Sequence, residues 1–352
     1  MKKFNLICAF LVIALLVTSC KKDETITPTA DYKDILSNIG ENVILQTYED
    51  LAAKAQNLYI AAQTLKNNPT SANLEGAKAA WVETRLPWEQ SEGFLFGPVE
   101  QEGLDPSLDS WPVNVTDLNN VLLSNNALTA EFLDQQEGTL KGFHTIEFLL
   151  WSESSNKQIA DFTSREFEYL VAAAEVLSID AQELYYLWKP DGENFIKNIL
   201  DAGNGSQVYI SQKSALEEIT NALIIISDEV ANGKINDPFS QQDLSLEESR
   251  FSANSKADFV DNMRSIQKIY TGKFGASGDG KSLSTIVGEK NSSVNTEVLQ
   301  QINAAIAAIE NIPGTFSDAV FNNPTSVQAA QTAVRNLQKT LEEKVLPIIS
   351  NL

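Results

Sequence analysis

The sequence predicts an all-α protein built from two pseudo-repeated helical-bundle halves. Three observations carry the prediction: apolar residues return at three- and four-residue spacing along most of the chain, alternating runs of β type are short and scarce, and a five-residue segment recurs in both halves ahead of an alanine-rich helix.

The chain opens with an export signal. Lys2 and Lys3 precede an apolar run from Leu6 to Val17, too short to span a membrane comfortably. Leu16-Val17-Thr18-Ser19-Cys20 looks like a bacterial lipobox, in which residues 1–19 are removed and Cys20 is acylated. The expected location is the bacterial cell envelope, lipid-anchored at the outer membrane, on its periplasmic face or at the cell surface. Lys21-Lys22-Asp23-Glu24 resembles the lysine-plus-acid tag of some Bacteroidetes surface lipoproteins, and a charged start to a tether reads the same way. Residues 20–31 form that tether, rich in Thr and Pro.

Cys8 leaves with the signal and lipid consumes Cys20, so disulfides, thiolate zinc sites and cysteine nucleophiles are excluded. Removing residues 1–19 takes two lysines and no acids, leaving 24 basic against 47 acidic residues, a net charge of -23. Such a surface repels nucleic acid and favours cations or basic partners.

The domain expected from 32 to 352 divides into halves of approximately 32–205 and 206–352. Leu45, Tyr48, Leu51, Ala52, Ala55, Leu58, Tyr59 and Ala62 mark the first buried helical stripe. Similar stripes run over 74–96, 117–133, 138–151, 165–187, 207–231, 255–270, 295–311 and 325–349. Asn67-Asn68-Pro69-Thr70-Ser71 recurs as Asn322-Asn323-Pro324-Thr325-Ser326, and both copies are good helix-start chemistry. With the copies overlaid, Arg85, Trp88, Ser91 and Glu92 fall on Thr340, Glu343, Leu346 and Pro347, so the scaffold repeats and the polar constellation does not.

Four segments could carry chemistry. In the first, positions 81, 85, 88 and 92 share a helical face, aligning Trp81, Arg85, Trp88 and Glu92, with Pro87 kinking the helix. Its bland alternative is an exposed Arg85–Glu89 pair beside core tryptophans. The second is Gly142-Phe143-His144-Thr145-Ile146-Glu147, where the chain's one histidine and a carboxylate stand a turn apart and can share a proton or a cation. A buried hydrogen-bonded pair explains that pattern as well, and a metal would need more donors, from Glu92, Ser91 or Asp109. One histidine cannot build a His-Glu-x-x-His zinc site. The third, Gly275-x-x-x-x-Gly280-Lys281-Ser282, has P-loop spacing but follows a helix, so it reads as a flexible connection and no nucleotide is expected. The fourth runs from Glu247, Glu248, Ser249 and Ser252 through Asp258 and Asn262 to Tyr270, and reads either as second-half donors to a shared site or as a capped loop.

Gly142-x-His144-x-x-Glu147, the Arg85-x-x-Trp88-x-x-Ser91-Glu92-x-Phe94-x-Phe96-Gly97 stretch, Asp109-x-Trp111-Pro112 and the segment from Glu248-Ser249-x-x-Ser252 to Tyr270-Thr271-Gly272 together resemble the imelysin, or M75 peptidase-like, family of bacterial envelope proteins. The resemblance implies a two-part helical fold with these residues near the interface of the parts, and an iron-associated role beside iron or haem acquisition components. It makes His144, Glu147, Glu92, Arg85 and Ser91 candidate ligand or metal-site residues, with Trp88, Asp109, Trp111 and Ser249 around them and iron or another divalent metal as the implied cofactor. The leading reading is a lipid-anchored binding protein that captures metal or haem without turnover. The alternatives are a metal-dependent peptidase of M75 type and a surface scaffold for a protein partner.

Overall fold

Long amphipathic helices bury their apolar stripes by packing side by side, and in this chain they do so in two rings. The computed structural model describes residues 31–275 and 280–352, which form one compact unit from Asp31 to Leu352. The export signal, Cys20, the tether to residue 30 and residues 276–279 of the glycine-rich connection lie outside the described residues.

The first ring comprises α1 (Leu45–Asn67), α2 (Ser71–Glu89), α3 (Gly142–Trp151) and α4 (Ser164–Trp188). Each packs on the next and α4 closes back on α1. The second comprises α5 (Gln212–Asp228), α6 (Ser255–Thr271), α7 (Ser292–Glu310) and α8 (Pro324–Thr340), with α8 closing on α5. Helix α2 meets α6 where the rings join, and the short turn Glu92–Phe94 packs on both α5 and α6. Among the described residues no helix is long and apolar enough to cross a membrane.

The sequence stripes map onto these helices with three departures. The 117–133 stripe is two short helices, Val115–Leu123 and Ala130–Asp134, because Ser124 and Thr129 interrupt it. The 74–96 stripe stops at Glu89, two residues after Pro87 removes a backbone donor, so Glu92 is not on the helical face assigned to it. The 207–231 stripe begins only at Gln212, where the Ser211 side chain accepts the Ser214 amide, and residues 205–211 are loop.

The recurrent Asn-Asn-Pro-Thr-Ser segments start helices in different ways. In the first copy Thr70 accepts the Asn73 amide and Pro69 lies outside the helix, whereas in the second Asn323 is the cap residue and Pro324 occupies the first turn. The P-loop spacing has no strand before it, since α6 ends at Thr271. Lys281 is bound to Asp34 Oδ2 at 2.6 Å, and Ser282 caps the helix Leu283–Lys290.

One glycine positions the site directly. Gly142 has φ of 73°, and a Cβ there would collide with the carbonyl oxygen of Leu108. The first residue of α3 can therefore lie against the end of the short helix Leu104–Asp109, which places Asp109 beside the His144 ring.

Candidate functional site

Where the rings meet, ionisable side chains from five segments converge on Arg85. This residue is fully buried on α2, so its charge must be answered by protein groups. It pairs with Glu89 one turn on, with Asp109, with Glu248 Oε1 at 3.1 Å and with Asp258 Oδ1 at 3.5 Å. Burial works against the guanidinium's charge, and the carboxylates, Asp109 foremost, more than offset it.

A second buried cation completes the centre. Lys234 closes the π-helical turn Glu229–Lys234 after α5, and its Nζ lies 2.7 Å from Glu92 Oε2, 3.0 Å from Glu248 Oε1 and 3.5 Å from Glu89 Oε2. Asn262, on α6, donates to Glu89 Oε2 at 2.6 Å and to Glu92 Oε2 at 2.7 Å. Burial raises the Glu89 and Glu92 carboxyls well above their ordinary range despite Lys234 beside both. Asp258 is pushed up to about 6, again mainly by burial.

His144 forms the third corner. Its Nδ1 is 3.2 Å from Glu147 Oε2, and its Nε2 is 3.0 Å from Asp109 Oδ1 as a charge contact rather than an aligned hydrogen bond. Glu147 is held from its other side by the Ser252 amide and hydroxyl, each at 2.7 Å to Oε1. Burial opposes the imidazolium, but Asp109 and then Glu147 raise its pKa to about 10. Asp109, which also accepts the Trp88 indole N–H at 2.5 Å, is brought below the usual carboxylate range by Arg85 and His144 against the effect of burial. The single imidazole is thus a charged bridge between two carboxylates, and a proton must leave before either nitrogen can bind a metal.

This has a measurable consequence. The folded state keeps the His144 proton between the ordinary imidazole pKa near 6.5 and about 10, while the unfolded state loses it, so the stability it contributes is complete below about 6.5 and declines as pH rises. Lys268, lowered to about 8 mainly by burial, acts with the opposite sign above pH 8. The diagnostic window is therefore pH 6.5–8. Chemical denaturation across it is expected to show wild-type stability falling more steeply than that of His144→Gln, and equal slopes would reject the assignment.

The other sequence-predicted residues take clear places. Ser91 is buried but bonds the Trp88 carbonyl at 2.6 Å, ending α2 and touching no carboxylate. Trp111, joined to Pro112 by a cis peptide, packs 5.6 Å from Lys234 Nζ and 6.3 Å from the His144 ring. Ser249 is fully buried next to Glu248. Glu92 and His144 do not pair directly; Glu92–Lys234–Glu248–Arg85–Asp109–His144 connects them. The Arg85–Glu89 pair exists, and burial makes it a core element rather than a surface pair. Lys234 had no sequence signal beyond its position at a helix end, where a lysine commonly faces terminal carbonyls.

Six buried carboxylates, Glu89, Glu92, Asp109, Glu147, Glu248 and Asp258, thus share three cationic side chains. Donor oxygens of Glu89, Glu92, Asp109 and Glu248 lie within 4.8 Å of one another, as do donors of Asp109, His144 and Glu248. Glu248 Oε2 and Asn262 Oδ1 are buried without a hydrogen-bond partner. An all-oxygen set with negative excess and orphaned acceptors fits a hard cation. Glu92 also borders an external cleft of about 480 Å³, lined by Glu100, Glu217, Glu218 and Glu229 and by Leu95, Phe96 and Ile225.

Comparison with known proteins gives a consistent result. The family model described as imelysin, Peptidase_M75, matches residues 44–343. An iron-regulated protein A of Synechococcus elongatus is 29% identical over 341 residues, covering 96% of this chain and 91% of that protein. Among solved structures, one described as an iron-regulated protein A precursor, from Parabacteroides distasonis, superposes with a TM-score of 0.83 at 25% identity, covering 93% of this chain and 96% of that one. An imelysin-like protein from Psychrobacter arcticum shares the fold, with a TM-score of 0.74 at 17% identity over 90% of this chain and 95% of its own.

Proposed function

Since this chain belongs to the imelysin family, we propose that it is a lipid-anchored envelope protein with an iron-associated role, binding a metal cation at the carboxylate cluster between its helical rings. The observation that carries the reading is the imbalance of six buried carboxylates against three protein cations, with buried oxygens such as Glu248 Oε2 and Asn262 Oδ1 left without a hydrogen-bond partner. Such an arrangement is satisfied by protons or by an added cation, and because the two compete for the same oxygens the cation would bind more tightly as pH rises. Glu89, Glu92, Asp109 and Glu248 are the residues to hold it, with Glu92 the member reached from the cleft. Arg85 orients the set and His144 sets the angle of Asp109.

The iron-regulated relatives support iron as the first cation to test. The description of the Parabacteroides protein as a precursor accords with export; in this reading Cys20, in its lipobox-like setting, carries the lipid anchor, and the protein works at the outer membrane with iron or haem acquisition components. Peptide hydrolysis is a weaker reading, because the one imidazole has both nitrogens engaged by carboxylates.

Calorimetric titration with ferrous, ferric and zinc ions and with haem tests the proposal in wild type, Glu92→Gln and Glu248→Gln. One-site binding to an ion in the wild type, weakened at least tenfold in both variants while their thermal unfolding remains cooperative, is the expected result. Unchanged affinity in both variants, or no ion binding by the wild type, would overturn the site.

A further inference from the structure

Residues 202–212, Ala-Gly-Asn-Gly-Ser-Gln-Val-Tyr-Ile-Ser-Gln, carry no charged side chain in a sequence with a net charge of -21. Their loop is a built one. The Ser206 hydroxyl accepts the Val208 and Tyr209 amides at 3.2 and 2.9 Å, Asn198 Oδ1 accepts the Gln207 amide at 3.2 Å, and the Gly203 amide donates to the Tyr209 carbonyl at 3.1 Å. Tyr209 is thereby turned into the core while its two neighbours point out, leaving Val208 45% and Ile210 91% exposed. Folding gains nothing from a β-branched apolar side chain held in water, so this presentation calls for a surface to cover it.

The place where the chain enters the fold identifies that surface. Gln212, two residues beyond Ile210, accepts the Tyr32 amide at 2.7 Å and donates to Asp31 Oδ1 at 2.8 Å, so the first described residues are fastened beside the loop. Ten residues separate Cys20 from Asp31. They reach at most about 35 Å fully extended and roughly 20 Å as a flexible chain. A lipid on Cys20 would therefore keep this end of the fold close to the headgroups.

We propose that the 205–211 loop is the membrane-resting face of this protein, with Val208 and Ile210 entering the interfacial region of the bilayer that holds Cys20. The proposal rests on the lipid-anchor reading given above, and its test separates the two. The mature chain has Cys20 as its single cysteine, so it can be coupled through that thiol to a maleimide phospholipid in phosphatidylcholine vesicles, whatever its natural modification. Hydroxyl-radical footprinting is then compared between vesicle-coupled protein and protein free in solution with the thiol blocked. Oxidation of Ile210 and Val208 is expected to fall at least threefold on vesicles, while Leu123, 85% exposed, and Ile60, 49% exposed, react as in solution. Ile210→Glu should restore Val208 oxidation without releasing the chain. Equal oxidation of Ile210 on and off vesicles, equal protection at all four positions, or protection of Ile210 in concentrated protein without lipid would overturn the proposal. The mass of the Cys20 peptide from native membranes tests the anchor itself: an unacylated cysteine would sink that reading and leave the footprint to judge the loop.

Discussion

Arg85→Met is expected to lower stability by about 3–5 kcal/mol, the scale for removing one partner from a buried ionic network, with a fall in Tm on the order of 10 °C. The guanidinium touches carboxylates from four segments: Glu89 on α2, Asp109 at the end of a short helix, Glu248 in the loop before α6, and Asp258 on α6. Without it, six buried carboxylates would share two cations, and both rings would lose a shared contact where α2 meets α6. Arg85→Lys should recover only part of the loss, because an ammonium on a flexible stem cannot reproduce the fork of donors that meets several acceptors at once. The sign with pH is also fixed. Unpaired buried carboxylates take up protons more readily folded than unfolded, so the variant's deficit should shrink as pH is lowered from 7.5 to 5. Thermal and urea unfolding of wild type, Arg85→Met and Arg85→Lys at both pH values measures this. A Met variant within 1 kcal/mol of wild type would mean that the network holds no fold energy.

Much of the fold was legible because its signal is local. The period of Leu45, Tyr48, Leu51, Ala55 and Leu58 is a property of one helix, and Tyr48, Leu51, Ala55 and Leu58 are buried in α1 as that period requires, with Leu45 half-buried at its first turn. Boundaries were less legible where competing local chemistry intervenes, as with Pro87 near the end of α2 and the Ser211 cap that delays α5. For the site, the sequence offered His144, Glu147, Glu92, Arg85 and Ser91 with Asp109 around them; Arg85, Asp109, His144 and Glu147 make one connected chain of contacts, whereas Ser91 turns back to the Trp88 carbonyl. Glu92 joins it for a different reason than the one the sequence offered, since it leaves the helix and returns through the turn Glu92–Phe94 to meet Lys234. Lys234 itself was illegible: Val-Ala-Asn-Gly-Lys after an amphipathic helix reads as an exposed end, and only the tertiary meeting of Glu89, Glu92 and Glu248 makes a fully buried lysine tolerable there. Helical spacing reports which residues of one helix share a face, whereas a site assembled from five segments depends on how faces of different helices are joined.

Lys234→Met is expected to separate a structural network from a cation-binding one. In metal-free buffer the variant leaves Glu89, Glu92 and Glu248 without their shared ammonium, and a loss of about 3–5 kcal/mol follows from the same reasoning as for Arg85. The two losses differ in their remedy. Arg85 sits among carboxylates as a planar fork, but Lys234 is a compact point charge facing oxygens of Glu89, Glu92 and Glu248, all members of the one candidate donor group. A divalent ion bound there by the variant would restore the missing charge, and at a free concentration 100 times its Kd would return about 2.7 kcal/mol of stability by mass action. Thermal unfolding with increasing ferrous or zinc ion should therefore raise the Tm of Lys234→Met further than that of wild type, where the ion must compete with the ammonium, and should leave Lys234→Met/Glu248→Gln nearly unmoved. The methionine matches the four-atom apolar stem of the lysine and removes only the ammonium, with its contact to the Trp111 ring, so charge is the main change. If Lys234→Met is destabilised but its Tm does not respond to any ion, the carboxylates are a closed structural network, and the cation-binding function would have to be sought at another place on the molecule.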